Sequence, residues 1–232
     1  MALILNLETT SDVCSVSIGE NGTAIDSVED QGARSHATLL APFIEKLLTK
    51  NAIKPQELSA VAVSKGPGSY TGLRIGTSTA KGICYAIKKP LIGISTLLLL
   101  SYEALEKAAE KIPDESILCP MIDARRMEVY HALFDITLAE IKKPEPLIIT
   151  GNSFLELLQK KPVVFFGNGA EKARQVIQHA NAIFIEGIYP TAKYMVALSE
   201  KALLNNNVED TAYFQPFYLK EFQATTPKKK IL

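Results

Sequence analysis

The stretch LSAVAVSKGPGSYTGLRIGTSTAKGICYAI, residues 58–87, decides how the first half of this chain folds. Its first nine residues form a short apolar run, which predicts a buried strand. A turn follows in which Gly66 and Gly68 flank Pro67, so that a rigid residue lies between two permissive ones. Residues 71–87 then predict a helix, and the stretch reads as one strand–turn–helix unit.

Two interpretations of this turn are open on its chemistry. Ser69 and Thr71 can cap the helix that follows. The start of a helix also attracts anions, and Arg74 lies one turn further in. The turn therefore fits a phosphate-binding loop, and it fits equally well a capped turn at which two backbones pass closely.

Three predicted strands and a helix precede this unit. Residues 3–9 are apolar, residues 12–22 alternate and end in a turn, and Ala24–Glu29 fit a third strand. Pro42 interrupts the helix that follows, so it either kinks that helix or marks its start. The helix is amphipathic, with an apolar face at i, i+3 and i+4 spacing formed by His36, Leu39, Leu40, Phe43, Ile44, Leu47 and Leu48.

The order of elements restarts near residue 114, with Asp123 in the place of Glu8. Residues 117–136 predict two strands and residues 145–150 a third. Strands and helices then alternate, including a helix over 151–161 with Asn152 or Ser153 as its N-cap. Such halves predict a duplicated actin-like (ASKHA, RNase H-like) α/β fold, with lobes at 1–113 and 114–232. Each lobe has a mixed five-stranded sheet and packed helices, and a nucleotide would lie between the lobes.

Composition limits the class of protein. The 232 residues include 25 basic and 25 acidic side chains and are 47% hydrophobic, enough for one large domain or two small ones. This balance does not indicate a nucleic-acid surface; the basic run Lys228–Lys230 is interpreted as a solvated tail, with weak RNA contact as the alternative. Cys14, Cys84 and Cys119 predict buried, reduced thiols in a cytoplasmic protein. No signal peptide or membrane span is predicted.

The first predicted hairpin turn keeps an acid but lacks a glycine. Glu8, Thr9 and Thr10 follow the first strand. Nucleotide-binding proteins of the actin-like class carry a glycine there, because a Cβ obstructs the approach of a phosphate. The loss of that glycine argues against a nucleotide at this turn.

The second half offers further candidates for an anion. Arg125 and Arg126 follow Asp123 in the second hairpin turn, which also lacks a glycine. The segment Gly167–Gly169, with Asn168 at its centre, follows a predicted strand and opens a helix. It fits an anion or an adenosine edge, or else a plain strand-to-helix turn.

The segment GPGSYTGLRIG closely resembles the corresponding segment of the TsaB (YeaZ) family. LNLETTSDVCSVSI, ARSHATLLAPFIEKLL, IDARRMEVYHALF, GNGA and QPFYLK follow in the family's order, so the resemblance spans nearly the whole chain. It implies the duplicated actin-like fold. It also implies a subunit of the bacterial machinery that makes N6-threonylcarbamoyladenosine at adenosine 37 of tRNAs reading ANN codons.

The resemblance implies a non-catalytic subunit. The catalytic relative, the TsaD-type transferase, carries a His-x-x-x-His metal pair, and Thr96 and Leu100 align with those histidines. Neither side chain is a good ligand for iron or zinc. We therefore expect no catalytic residues, no metal and no cofactor beyond weak or shared ATP or ADP. The expected partners are a TsaD-type transferase, a TsaE-type ATPase, a second copy of the chain, and tRNA through the complex only, with no membrane.

Two helices are expected to form the partner interface as half of a four-helix bundle. Gly72, Gly76 and Ala80 form a stripe of small residues that would let another helix approach closely. The expected interface residues are His36, Leu39, Leu40, Phe43, Leu47, Thr71, Gly72, Arg74, Ile75, Gly76, Thr79 and Ile83. The expected nucleotide or anion contacts are Glu8, Thr9, Thr10, Lys65, Gly66, Gly68, Ser69, Asn168 and Gly169.

The alternative function is a free-standing ATP-dependent kinase or transferase of the actin-like fold. Glu8 and Asp123 would be its catalytic acids. A protease is not supported, because the sequence contains neither a Ser-His-Asp order nor an HExxH motif.

Overall fold

The computed structural model describes residues 2–32 and 35–220, and the first half of the chain forms a five-stranded sheet. Its strands are β1 Leu3–Glu8, β2 Cys14–Glu20, β3 Thr23–Asp30, β4 Ala60–Gly66 and β5 Leu91–Ser95. Its helices are α1 His36–Lys50, α2 Tyr70–Ile87 and α3 Thr96–Ala108, with short 3-10 turns at Pro55–Glu57 and Ala109–Lys111. The strand order is β3-β2-β1-β4-β5; β1, β2 and β3 pair antiparallel, and β4 lies parallel to β1 and β5.

The second half repeats this topology. Its strands are β6 Ile117–Asp123, β7 Glu128–Phe134, β8 Glu140–Ile148, β9 Val163–Phe166 and β10 Ala182–Phe184. Its helices are α4 Leu155–Leu158, α5 Ala170–Val176 and α6 Ala192–Leu204. The strand order β8-β7-β6-β9-β10 matches that of the first sheet position by position. The predicted duplicated actin-like fold is confirmed.

Alternation along the strands determines which helices cover each face of the first sheet, because successive side chains point to opposite faces. Leu5 and Leu7 of β1 belong to the cluster that includes Leu40 and Leu47 of α1. Ile4 belongs to a separate cluster with residues of α3 and α6. Helices α1 and α2 therefore cover one face, and α3 and α6 cover the other.

Helix α6 comes from the second half of the chain but packs on the first sheet. The hydroxyl of Ser17 donates to the carbonyl of Ala192 (2.7 Å), and the N–H of Ala192 donates to the hydroxyl of Ser15 (2.8 Å). Helix α3 contacts strands of both sheets. A division of the chain at residue 113 stays a prediction, since elements of each half pack against the other.

Pro42 lies inside α1, which begins at His36. Of the two alternatives for Pro42, the one in which it marks the start of the helix was wrong. Proline removes the hydrogen bond to the carbonyl of Thr38, but both residues are exposed, so water can bind that carbonyl. The apolar face of the helix is unaffected, and the packing of that face holds the helix together.

The helix predicted over residues 151–161 is a single turn, Leu155–Leu158, and neither Asn152 nor Ser153 caps it. The hydroxyl of Ser153 instead accepts the N–H of Thr150. Phe154 takes a left-handed conformation, and its ring packs against Phe165. This tertiary contact replaces the first turn of the predicted helix.

The three cysteines and the edge strand β8 bear on further predictions from the sequence. Cys14, Cys84 and Cys119 are free and buried, as predicted. Strand β8 begins at Glu140, earlier than the predicted residue 145. It can run through Pro144 and Pro146 because it lies at the edge of its sheet, where a residue without an N–H is tolerated. In the part of the chain that the structure describes, no helix combines the length and apolar character needed to cross a membrane. The run Lys228–Lys230 lies outside the described residues.

Candidate functional site

The turn after β1 holds a buried carboxyl group. Glu8 has no solvent-exposed surface. Its Oε1 accepts hydrogen bonds from the N–H (2.5 Å) and the hydroxyl (2.6 Å) of Thr10, and its Oε2 accepts one from the hydroxyl of Ser64. Because Ser64 lies near the end of β4, this carboxyl group ties the hairpin turn to the strand that enters the glycine turn.

Burial changes the protonation of this group. Removal from water raises the pKa of Glu8 from 4.5 to about 7, and the hydrogen bonds from Ser64 and Thr10 offset only part of that rise. A large fraction of the carboxyl groups therefore keep their proton at neutral pH. A catalytic acid or base must also lie within reach of its substrate, and Glu8 does not reach the surface in this conformation.

Three glycines let α2 lie directly against the turn. The hydroxyl of Thr9 donates to the carbonyl of Gly72 (2.8 Å). A Cβ at Gly68 would lie 2.6 Å from the carbonyl oxygen of Thr10, and one at Gly72 would overlap the carbonyl oxygen of Thr9. A Cβ at Gly76 would overlap the hydroxyl of Thr9. The space that a phosphate would need at this turn is occupied by the chain itself.

Ser69 caps α2, as predicted. Its hydroxyl accepts the N–H of Gly72 (3.2 Å), and its own N–H donates to the carbonyl of Thr10 (2.7 Å). Thr71 is exposed and makes no cap. Of the two interpretations that the sequence left open, the observed geometry is that of a capped turn with a close backbone contact.

A C-terminal strap, Val208–Lys220, covers the other side of the glycine turn. The N–H of Phe217 donates to the carbonyl of Lys65 (2.6 Å), and the ammonium of Lys65 pairs with Glu209 (3.2 Å). Gly66 has φ of +111°, and a Cβ there would lie 2.7 Å from the carbonyl oxygen of Phe217. Glycine is required at this position by both its conformation and the strap.

The corresponding turn of the second sheet is built in the same way but is exposed. Asp123 ends β6 and pairs with the ammonium of Lys172 (2.5 Å). The side-chain oxygen of Asn168 accepts the N–H of Asp123 (2.9 Å), and the N–H of Gly169 donates to the carbonyl of Met121 (3.1 Å). Asn168 and Gly169 therefore hold this turn in place through these two hydrogen bonds.

The two residues that align with the metal-binding histidines of the transferase are buried. Thr96 begins α3 and Leu100 lies one turn later, and both are fully enclosed. Within residues 2–32 and 35–220, no three His, Cys, Asp or Glu side chains form a group that could hold a metal. The absence of a metal site stays a prediction.

An apolar groove of about 650 Å³ opens between α1 and α2. Ile44 and Leu48 line it from α1, and Thr79 and Ile83 line it from α2. Ile53, in the segment that follows α1, also lines it. An open groove with apolar walls is typical of a surface that another protein covers.

Comparisons with known proteins show the family of this chain. The family model described as "TsaD: tRNA N6-adenosine threonylcarbamoyltransferase" matches residues 28–228. The curated protein "tRNA threonylcarbamoyladenosine biosynthesis protein TsaB" of Buchnera aphidicola subsp. Baizongia pistaciae is 30% identical over 94% of this chain and 98% of its own length. The chain belongs to the TsaB (YeaZ) family. The protein of the same name from Bacillus subtilis is 29% identical over 95% of each chain.

A solved structure supports the fold of this TsaB-family chain. A YeaZ-like protein from Pseudomonas aeruginosa superposes with a TM-score of 0.82, covering 95% of this chain and 100% of the other. Their sequence identity is 23%. At that level the likeness concerns the fold alone.

The expected interface residues of this TsaB-family chain divide into two groups. The first group is buried within the chain's own core and comprises Leu39, Leu40, Leu47, Gly72 and Gly76. The second group reaches the surface and comprises His36, Phe43, Thr71, Arg74, Ile75, Thr79 and Ile83. In this conformation a partner can touch only the second group.

The stripe of small residues on α2 faces the interior of the chain in this structure. Gly76 lies against Thr9 and Val63, and Ala80 is fully buried, so this stripe serves packing inside the chain. A second row on the exposed side was not predicted as a row, although Thr71 and Ile75 were among the expected interface residues. It follows helical spacing and comprises Thr71, Ile75, Ser78, Gly82 and Ala86, and a Cβ at Gly82 would meet nothing within 4 Å.

The expected nucleotide contacts are likewise divided between two places. Most of them lie at the first turn, where Glu8, Thr9 and Thr10 are buried. Gly68 and Ser69 pack against Thr10, and Gly66 faces the strap. Asn168 and Gly169 belong to the second turn. The strap over the first turn was missed, although the segment QPFYLK that carries it was noticed as a family feature.

Proposed function

We propose that this chain is a non-catalytic subunit in the biosynthesis of threonylcarbamoyladenosine in tRNA. The names of its TsaB relatives and the transferase family model support this role. A fold that has lost its own site keeps its surfaces, and those surfaces then carry the function. The subunit would hold a TsaD-type transferase in an active form.

The single observation that carries the proposal is the filled turn after β1. The carboxyl group of Glu8 is buried, and Gly68 and Gly72 bring the chain against Thr9 and Thr10. A kinase or transferase of this fold would need that space for phosphates and for a catalytic acid. The sealed turn therefore favours a supporting subunit over the free-standing ATP-dependent enzyme.

The partner surface would be the groove between α1 and α2 together with the exposed row on α2. Gly82 and Ala86 would let a helix of the partner approach closely, and Phe43 and Ile83 would supply apolar area at the edges. The same surface suits a second copy of the chain. A TsaE-type ATPase, shared ATP or ADP, and tRNA would join through the resulting complex.

The test is to co-purify a tagged TsaD-type transferase of the same organism with this chain. Gly82→Leu should weaken the complex by at least about tenfold, because the added side chain blocks the approach of a helix. The same change should not lower the melting temperature of the isolated chain, because the site is open and leucine favours helix. Ile83→Glu is a second variant that places a charge in the groove.

The matched control is Lys201→Leu, an exposed leucine on α6 at the opposite face of the first sheet. It should leave the complex unchanged. Wild-type binding by the Gly82→Leu chain would contradict the proposed surface. A transferase that is stable and fully active without this chain would contradict the proposed role, and Mg²⁺-dependent ATP turnover by the isolated chain would favour the enzyme.

A further inference from the structure

Arginine and tyrosine side chains gather where the strap meets the first turn of α2. The ring of Tyr218 packs against that of Tyr70, with centroids 5.2 Å apart. The guanidinium of Arg74 lies 5.5 Å from the centroid of the Tyr70 ring, and its Nη1 donates to the Tyr70 hydroxyl (3.4 Å). Arg74 is exposed and the rings are partly exposed, so this stack presents flat π surfaces and a cation together.

The strap joins this stack to the second hairpin turn. Two residues after Tyr218, the ammonium of Lys220 pairs with Glu128 at the start of β7. The strap therefore reaches from the stack to the hairpin turn between β6 and β7. The tip of the turn carries Arg125 and Arg126, both exposed and both in left-handed conformations. The arginine–tyrosine surface comprises Tyr70, Arg74, Arg125, Arg126 and Tyr218.

The charges at this end of the molecule are unevenly compensated. Lys65 is paired with Glu209, Lys172 with Asp123, and Lys220 with Glu128. By contrast, Arg74, Arg125 and Arg126 form no ion pair with any acid in the described part of the chain. Guanidinium groups without an ion pair therefore lie at both turns that this part of the strap contacts, in a chain whose total charge is zero.

We propose that the arginine–tyrosine surface binds RNA directly. Guanidinium groups bind phosphates through two parallel hydrogen bonds, and unpaired bases stack on tyrosine rings and on guanidinium planes. An acidic protein could pair with the arginines but would gain little from the stacked tyrosine rings. RNA can pair with the arginines through its phosphates and stack its bases on the rings, so it matches both features. The inference rests on the proposed function in one respect, since tRNA is the RNA that such a subunit would meet.

The experiment measures binding of a fluorescein-labelled, unmodified tRNA transcript by anisotropy, to the full chain alone and to the chain with its transferase. The variant is Arg125→Glu/Arg126→Glu. At about 100 mM KCl its affinity should fall at least tenfold. The slope of log affinity against log salt should become shallower by about one to two, because two phosphate contacts are lost.

The matched control is Lys160→Glu/Lys161→Glu. It makes the same change in net charge, also on exposed residues. These lysines lie away from the hairpin tip, because Lys161 acts electrostatically on Asp135, which follows the far end of β7. That end is roughly 20 Å from the hairpin tip, at about 3.3 Å per residue. The control should change the RNA affinity by less than about threefold. An equal loss in both variants, unchanged affinity in the arginine variant, or no RNA binding by either wild-type sample would overturn the proposal.

A second pair of variants tests the aromatic part. Tyr218→Ala should weaken binding by roughly fivefold or more, while Tyr218→Phe keeps the ring and should bind like wild type. Similar loss in both would overturn the stacking role, and melting temperatures report whether the strap stays docked. If the arginine variant instead loses a protein subunit at unchanged RNA affinity, the surface is a protein interface. Size-exclusion profiles of the same samples report transferase binding, so failure of the proposed function is seen separately.

Discussion

The two hairpin turns of this molecule lie at the same position in equivalent sheets, yet their acids have opposite environments. Glu8 is fully enclosed and bound by the hydroxyls of Thr10 and Ser64. Asp123 is exposed and pairs with Lys172. Duplication therefore preserved the place of the turns in the two sheets, while their length and chemistry diverged.

The difference shows what each turn contributes. In the first half a glycine-rich helix closes over the acid, so this turn is part of the core and joins β1, β4 and α2. In the second half the helix that follows the turn is short, and the acid stays in water beside a cation. The first turn should therefore control stability, and the second should tolerate change.

The largest expected effect comes from breaking the sealed turn. Gly72→Ala should lower the free energy of unfolding by at least about 3 kcal/mol, because the new Cβ would overlap the backbone carbonyl of Thr9, which cannot move without distorting β1. Urea unfolding of the isolated chain measures this change.

Gly82→Ala is the control within the same helix. No atom lies within 4 Å of the added Cβ, so alanine should raise the free energy of unfolding by up to about 1 kcal/mol through its helix propensity. Opposite signs for the two substitutions would sharpen the contrast between the two faces of α2. A stabilising Gly72→Ala would show that α2 does not rest on the turn.

The next effect concerns the pH dependence of stability. The pKa of Glu8 is about 7 in the folded chain and 4.5 ordinarily. The unfolded chain therefore releases this proton first as the pH rises, and stability falls between about pH 4.5 and 7 and is level above that window. Replacement by glutamine keeps the shape without the charge. Glu8→Gln should reduce the fall in unfolding free energy between pH 4 and pH 8 by about 3 kcal/mol.

Glu103 sets the background for that measurement. Burial also raises the pKa of Glu103 to about 7, and the nearby ammonium of Lys107 offsets only part of that rise. The wild-type chain therefore loses stability from both carboxyl groups over the same pH range. The Glu8→Gln chain should keep the part due to Glu103. An unchanged pH profile in this variant would mean that Glu8 is hydrated and that the turn is open in solution.

Much of the fold could be predicted because its signals are local. An apolar run marked β1, alternation marked β2, and i, i+3, i+4 spacing marked α1, since nearby residues in the sequence decide those patterns. The predictions failed where contacts between residues far apart in the sequence determine the local structure. Phe154 packs on Phe165 instead of continuing a helix, and this preference is invisible within the segment 151–161.

The candidate site was less predictable for the same reason. Gly72 and Gly82 look equivalent in the sequence, and only the position of Thr9 in the folded chain decides which of them faces inward. Likewise, the zero net charge gave no sign of an RNA surface. In the folded chain the strap contacts both the turn that holds Arg74 and the turn that carries Arg125 and Arg126, while acids pair with Lys65, Lys172 and Lys220.

The smallest expected effect lies at the exposed turn. Asp123→Asn removes the charge that pairs with Lys172 but keeps an oxygen that can accept the N–H of Arg125. The pair is exposed on the aspartate side, so its loss should cost less than about 1 kcal/mol in unfolding free energy. Salt screens exposed pairs, so the difference from wild type should vanish near 1 M NaCl, whereas the effect of Glu8→Gln should persist there. A loss of unfolding free energy above about 2 kcal/mol that salt does not reduce would mean that Asp123 belongs to the core, as Glu8 does. The contrast between a buried first turn and an exposed second turn would then be wrong.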